Sequence, residues 1–221
     1  MITNRKEKRD RAVSPVVGMM LMLVVTIIIA GVVAAFAGGL AGTEKAAPTL
    51  VATTEIWSAD SYDNYAMGRF AMNIESVSEP VSTADLKIVT SWKYVDGDEE
   101  KTGGNTVTAG TKNTKYDTYE YNAPIGMGSG VTGNQLTSGS YGENQWFGNY
   151  NLIAGTSMSA NGAYTGEGKS GGAKTHTSGD AMDAILGDAW SGNLKKGSTV
   201  SVKLIYIPSN AVIYDREVIV K

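Results

Sequence analysis

The chain has no cysteine and a single histidine among its 221 residues. The first absence excludes a disulfide framework, so an exported part of the chain must fold on its hydrophobic core alone. The second removes the paired-histidine metal sites and the triads of hydrolases, because His176 has no second His and no Cys to share an ion. Asparagine-linked glycans are not expected, since no Asn-X-Ser/Thr sequon occurs. Positive charge is not in excess: 19 Lys and Arg stand against 22 Asp and Glu, which argues against a nucleic-acid partner. Between Arg11 and Glu44 charge of either sign is missing altogether.

That gap holds the longest apolar run in the chain. From Val16 to Ala41, 26 positions, only Thr26 is polar, which exceeds the ~20 residues a helix needs to cross a bilayer. Ahead of it Arg5, Lys6, Lys8, Arg9 and Arg11 face only Glu7 and Asp10. A basic leader stays in the cytoplasm, so everything after the helix is expected outside the cell. Ser14 suits the N-cap and Pro15 the first helical position, where its missing N–H costs nothing. Gly31, Ala35 and Gly39 recur at four-residue spacing and predict a face that packs closely on other helices. Gly and Ala are also common in any membrane helix, so the plain reading of that face stays open.

After Pro48 the pattern changes to strands. "TLVATTEIW", "GRFAMNIESV" and part of "ADLKIVTSWKYV" alternate apolar and polar residues, and "STVSVKLIYIPSNAVIYDREVIVK" gives two such runs about Pro208, Ser209 and Asn210. Residues 97–180 differ: 45 of these 84 are Gly, Ser, Thr or Asn, with Tyr116, Tyr119, Tyr121, Tyr141, Tyr150, Tyr164, Trp146 and Phe147 among them. Free linkers need no such apolar surface, so a loop-rich β insertion ordered by aromatic packing is predicted. Within "SGDAMDAILGDAW" a short helix is expected, capped near Ser178 and stopped at Gly187. The predicted fold is α+β: a long N-terminal hydrophobic helix, then a mainly antiparallel β-sandwich-like head with a Gly/Ser/Thr/Asn-rich insertion.

Chemistry-bearing motifs are few. "AYTGEGKS", Ala163 to Ser170, fits a loose phosphate-loop pattern but has neither a buried strand before it nor a helix after it. A flexible loop is the better reading. "DGDEE", Asp96 to Glu100, lacks the spaced oxygens of a calcium loop and reads as an acidic turn at a strand end. Asp180 and Asp183 suit the N-terminus of the short helix, with Asp188 beyond it. No catalytic residues, no metal site and no cofactor are expected.

The segment "RAVSPVVGMMLMLVVTIIIAGVVAAF" resembles the N-terminal signature of the archaeal type IV pilins, specifically at Arg11 to Gly18 and through the helix. Ser14, Pro15 and Gly18 carry its helix-start motif. "SEPVSTADLKIVTSW" and "IPSNAVIYDREVIV" are similar to strands common in these pilins. The resemblance implies a prepilin peptidase that cuts after Arg11 and Ala12, leaving Val13 first. Residues 1–12 then form a removed leader, 13–42 a helix that is first transmembrane and later filament core, 43–48 a linker and 49–221 the extracellular head. The fifth mature residue is Val17, where bacterial pilins have glutamate. Implied partners are identical subunits in a homopolymer, the assembly machinery and the membrane before assembly, with adhesion at the cell surface as the role. Two other readings stay open: a single-pass anchored binding protein that never polymerises, and a secreted protein cut after Ala35-Phe36-Ala37.

Overall fold

The computed structural model describes residues 15–41, 46–58, 68–116, 119–132, 141–162, 164–165, 175–176 and 179–221. The chain divides into two compact units, Met1–Glu44 and Lys45–Lys221.

In the first unit one helix, α1, runs from Pro15 to Ala41 over 27 residues, about 40 Å at ~1.5 Å per residue. It passes through Gly18 and Gly31 without a break. Each glycine costs a helix about 1 kcal/mol in water. In an apolar solvent an unpaired peptide group costs several times more, so the helix persists there.

The second unit is built of strands β1 Leu50–Trp57, β2 Arg69–Val77, β3 Val81–Ser82, β4 Leu86–Asp96, β5 Glu99–Gly103, β6 Thr106–Thr108, β7 Thr114–Tyr116, β8 Tyr119–Tyr121, β9 Ile125–Gly128, β10 Asn151–Leu152, β11 Thr156–Asn161, β12 Tyr164–Thr165, β13 Thr175–His176, β14 Thr199–Tyr206 and β15 Ala211–Ile219. Two short helices, α2 Ala181–Leu186 and α3 Trp190–Asn193, lie between β13 and β14. One sheet has the order β1-β2-β11-β9; the other has β15-β14-β4-β5, with β6 also on β4. Every neighbouring pair in these two sheets is antiparallel. Alternation decides which way they face: Val200, Val202, Leu204 and Tyr206 of β14 are buried while the residues between them are not. Side chains of both sheets join one hydrophobic core, from Ile56, Phe70, Met72 and Met158 on one side to Leu86, Ile88 and Val202 on the other. The head is thus the expected sandwich-like pair of antiparallel sheets. Along one margin β1 meets β15, where Thr54 Oγ1 lies 2.7 Å from the Tyr214 hydroxyl. Beyond β15, Lys221 N donates to Ile56 O and Ser58 N to Lys221 O.

Two of the hairpins turn on residues suited to it. Gly97 (φ +65°) turns β4 into β5, and Asn210, a residue that tolerates left-handed backbone, holds φ 50° between β14 and β15. The Gly-rich stretch supplies β5 and β6 to one sheet and β9 and β11 to the other. Its aromatics pack: the Tyr119 and Tyr121 rings stack at 5.6 Å, Tyr141 lies 5.4 Å from Tyr121, and Trp146 meets Tyr119 edge-on at 6.3 Å.

Tyr150 is buried and donates through its hydroxyl to Pro124 O at 3.1 Å. Its ring lies where a Cβ on Gly126 would stand, 2.7 Å away. Burial pushes the Tyr150 phenol well above its usual 10.0. Because the folded-state value is raised, its contribution to stability is present below pH ~10 and is lost as pH rises beyond it. Tyr150→Phe should cost about 1 kcal/mol at pH 7 through the lost hydrogen bond. The variant should also lose less stability than the wild type between pH 9 and 11 in denaturant titrations. Parallel losses would remove Tyr150 as a source of alkaline sensitivity.

The helix expected around residues 178–187 is α2, with one correction at its start. Ser178 lies outside the described residues, and the cap is Asp180, whose Oδ1 accepts from Met182 N at 2.8 Å and Asp183 N at 2.9 Å. All six residues of α2 are buried. A buried helix end needs partners for its free carbonyls, and the head supplies them: Thr90 Oγ1 donates to Ile185 O, Trp92 Nε1 to Leu186 O at 2.8 Å and Asn105 Nδ2 to Ala184 O at 3.0 Å.

Candidate functional site: an uncovered apolar helix

Helix α1 carries no acid in its first turn and no base in its last. Within its own unit, and among the described residues, Val16–Phe36, 21 residues, has no buried position, and Met19 and Phe36 are 73% and 68% exposed. Fifteen large apolar side chains of this helix are exposed on all its sides. At ~1.5–3 kcal/mol for each when fully buried, their combined driving force is of order 20 kcal/mol even when discounted for partial exposure. Water therefore cannot be their resting environment; lipid or protein must cover them. Among the described residues this is the one helix long and apolar enough to cross a membrane.

The single polar side chain of this run is spent within the helix. Thr26 Oγ1 donates to Met22 O at 3.1 Å or Leu23 O at 2.9 Å. It needs no outside partner, so α1 is compatible with hydrocarbon along its length. Cβ atoms placed on Gly18 or Gly31 would meet nothing within 4 Å. These positions offer backbone surface to whatever packs on the helix.

Of the residues singled out in the sequence, Arg11, Ala12, Val13 and Ser14 lie outside the described residues. Pro15 is the first residue of α1 and Gly18 lies one turn on. Gly31, Ala35 and Gly39 all fall in α1, where four-residue spacing puts them along one side of the helix.

The head's acidic motifs take structural places. Asp96–Glu100 forms the β4–β5 hairpin, in which Asp96 pairs with Glu99. Asp180 and Asp183 meet at the start of α2, whereas Asp188 is exposed in the turn after it. Asp183 is buried with Oδ1 accepting from Trp190 Nε1 at 2.7 Å and Oδ2 from Gly179 N at 2.7 Å. Of the phosphate-loop look-alike, Tyr164 and Thr165 form β12 against Thr175 and His176; the rest lies outside the described residues. Among the described residues no group of three or more His, Asp and Glu is placed to hold a metal ion.

Comparison with known proteins points to the same helix. Residues 11–52 match the family model described as archaeal type IV pilin, N-terminal. An uncharacterised protein of Archaeoglobus fulgidus is 26% identical over 100 residues, which cover 45% of this chain and 66% of that protein. The matched segment takes in the charged seam at Arg11, all of α1 and the first residues of β1. By that match, the N-terminal segment of the chain, residues 11–52, is that of an archaeal type IV pilin.

Proposed function

We propose that the chain is the subunit of an archaeal type IV pilus-like surface filament, held together by α1 and carrying the β-rich head outward for adhesion. The pilins are a structural, non-enzymatic family. The observation that carries the proposal is the uncovered apolar surface of Val16–Phe36 within the matched segment. In the precursor, lipid covers α1 and the leader remains in the cytoplasm. Prepilin peptidase removes residues 1–12, and the helix passes from lipid into a bundle of identical helices. That transfer gains almost no hydrophobic free energy, because lipid tails are as apolar as leucine. Close packing must supply it, and Gly31, Ala35 and Gly39 let backbones approach where bulky side chains would separate them. Contacts between unlike faces that do not close into a ring extend into a helical filament.

The test is the N-terminus of the mature protein together with its physical state. Val13 at the start of a chain that sediments as filaments is the expected result. A soluble protein beginning at Gly38 would overturn it, and an uncut chain released only by detergent would favour the single-pass anchor.

A further inference from the structure

The outward face of the β15-β14-β4-β5 sheet carries an open trough of about 530 Å³. Strand register sets its lining. Thr199 stands between Ile219 and Lys93, Ser201 between Glu217 and Ser91, and Thr102 opposite Lys93. In the next row Lys203 and Asp215 form an ion pair at 3.0 Å. Four hydroxyls, those of Ser91, Thr102, Thr199 and Ser201, therefore share one floor. Among the described residues none of them, nor the Glu217 carboxylate, has a side-chain partner.

We infer that this trough is a glycan-binding site, selective for neutral oligosaccharides built of hexoses. Neighbouring strands lie ~4.8 Å apart and alternate residues of a strand ~6.8 Å apart, so Ser91, Ser201 and Thr199 stand within about the width of a sugar ring, with Thr102 beyond Lys93 within reach of a second ring. Each hydroxyl both donates and accepts, and Glu217 accepts from two donors at once, which matches a ligand whose surface is hydroxyls. Lys93 and Glu217 oppose each other in charge, so neither a polyanion nor a polycation is favoured. Lys93 is held only loosely by Glu100, at 3.8 Å with both side chains more than half exposed.

The floor is rigid. Trp92 is buried under β4 and anchored through Nε1 to Leu186 O. Its cross-strand neighbour is Gly103, where a Cβ would stand 2.2 Å from the Trp92 ring. A bulkier residue would push β5 off β4 and open the trough. Hydroxyls held on paired strands lose little freedom on binding, and this offsets the weakness of each single hydrogen bond.

The inference deepens the adhesive reading of the head and is tested apart from assembly. Full-length chain in a zwitterionic, sugar-free detergent is titrated by calorimetry with linear gluco-, manno- and galacto-hexaoses, and with dextran sulfate as the polyanion. At least one neutral hexaose should bind with Kd near or below ~1 mM. Glu217→Gln with Ser201→Val should weaken it about tenfold or more with unchanged thermal unfolding. Absence of neutral binding up to ~10 mM, preference for dextran sulfate, or equal affinity of the folded double variant would each overturn the site. Filaments formed by the double variant as by the wild type would leave the assembly proposal standing whatever the sugars do.

Discussion

Arg11→Ala combined with Ala12→Leu is expected to leave full-length chain in the membrane and no filaments at all. The reason lies in the price of moving charge through hydrocarbon. Arg5, Lys6, Lys8 and Arg9 remain in the uncut variant, and each costs ~2.5–3.5 kcal/mol at the centre of a bilayer on the insertion scale. Together they hold α1 in place by roughly 10 kcal/mol or more, beyond what packing of one helix face returns. The head forms a unit apart from Met1–Glu44, so its tryptophan fluorescence should be that of the wild type. Mass spectrometry of membrane and filament fractions, with electron microscopy, reads the outcome. Filaments made of uncut or normally cut variant would sink the cleavage assignment at Ala12 and Val13.

Asp183→Ala should be the most damaging single change in the head. Its carboxylate accepts from Trp190 Nε1 and from Gly179 N, and alanine takes that acceptor from both, the Trp190 end being buried and the Gly179 end half-buried. A buried donor that loses an acceptor costs about 1–3 kcal/mol and a half-buried one less, so a loss of about 3 kcal/mol is expected once the lost packing is added. For a unit of this size that corresponds to a fall in Tm of about 10 °C. All four tryptophans, Trp57, Trp92, Trp146 and Trp190, lie in the head, so their fluorescence follows its unfolding in the intact chain. Asp183→Asn, which keeps one acceptor, should fall between. A drop of less than about 2 °C for alanine would show that other partners hold α2.

The apolar helix was legible because it needs nothing but local pattern: no charge from Ala12 to Thr43, small residues four apart, a proline at its first position. The same holds for β14 and β15, whose alternation and Asn210 turn are written in adjacent residues. Asp180 was legible as an acidic helix start, although the cap expected near Ser178 falls on Asp180 itself. What local pattern does not carry is partnership across long separations. That Thr90, Trp92 and Asn105 bond the end of α2, about 80 to 95 residues away, depends on which sheet the Gly-rich stretch joins. Low apolar content in that stretch weakens the period-2 signal, so β9 and β11 gave little sign of themselves as members of the sheet with β1 and β2. The hydroxyl trough is hidden for a related reason. Ser91, Thr102, Thr199 and Ser201 become one surface only once strand register is set.

In the proposed filament, which holds the chain through α1, the first strand of the head has a mechanical meaning. Tension drawn through residues 42–48 arrives at β1 before any other part of the head. The first bonds it meets are Ser78 N to Thr49 O at 3.0 Å and Thr49 N to Ser78 Oγ at 3.1 Å, beside the buried Pro48. Behind this clasp stand the paired residues of β1 and β2 and, at the far end, the bonds of Lys221 to Ile56 and Ser58. Pull therefore peels the head from Thr49 forward, and Ser78 is the stitch that must break first.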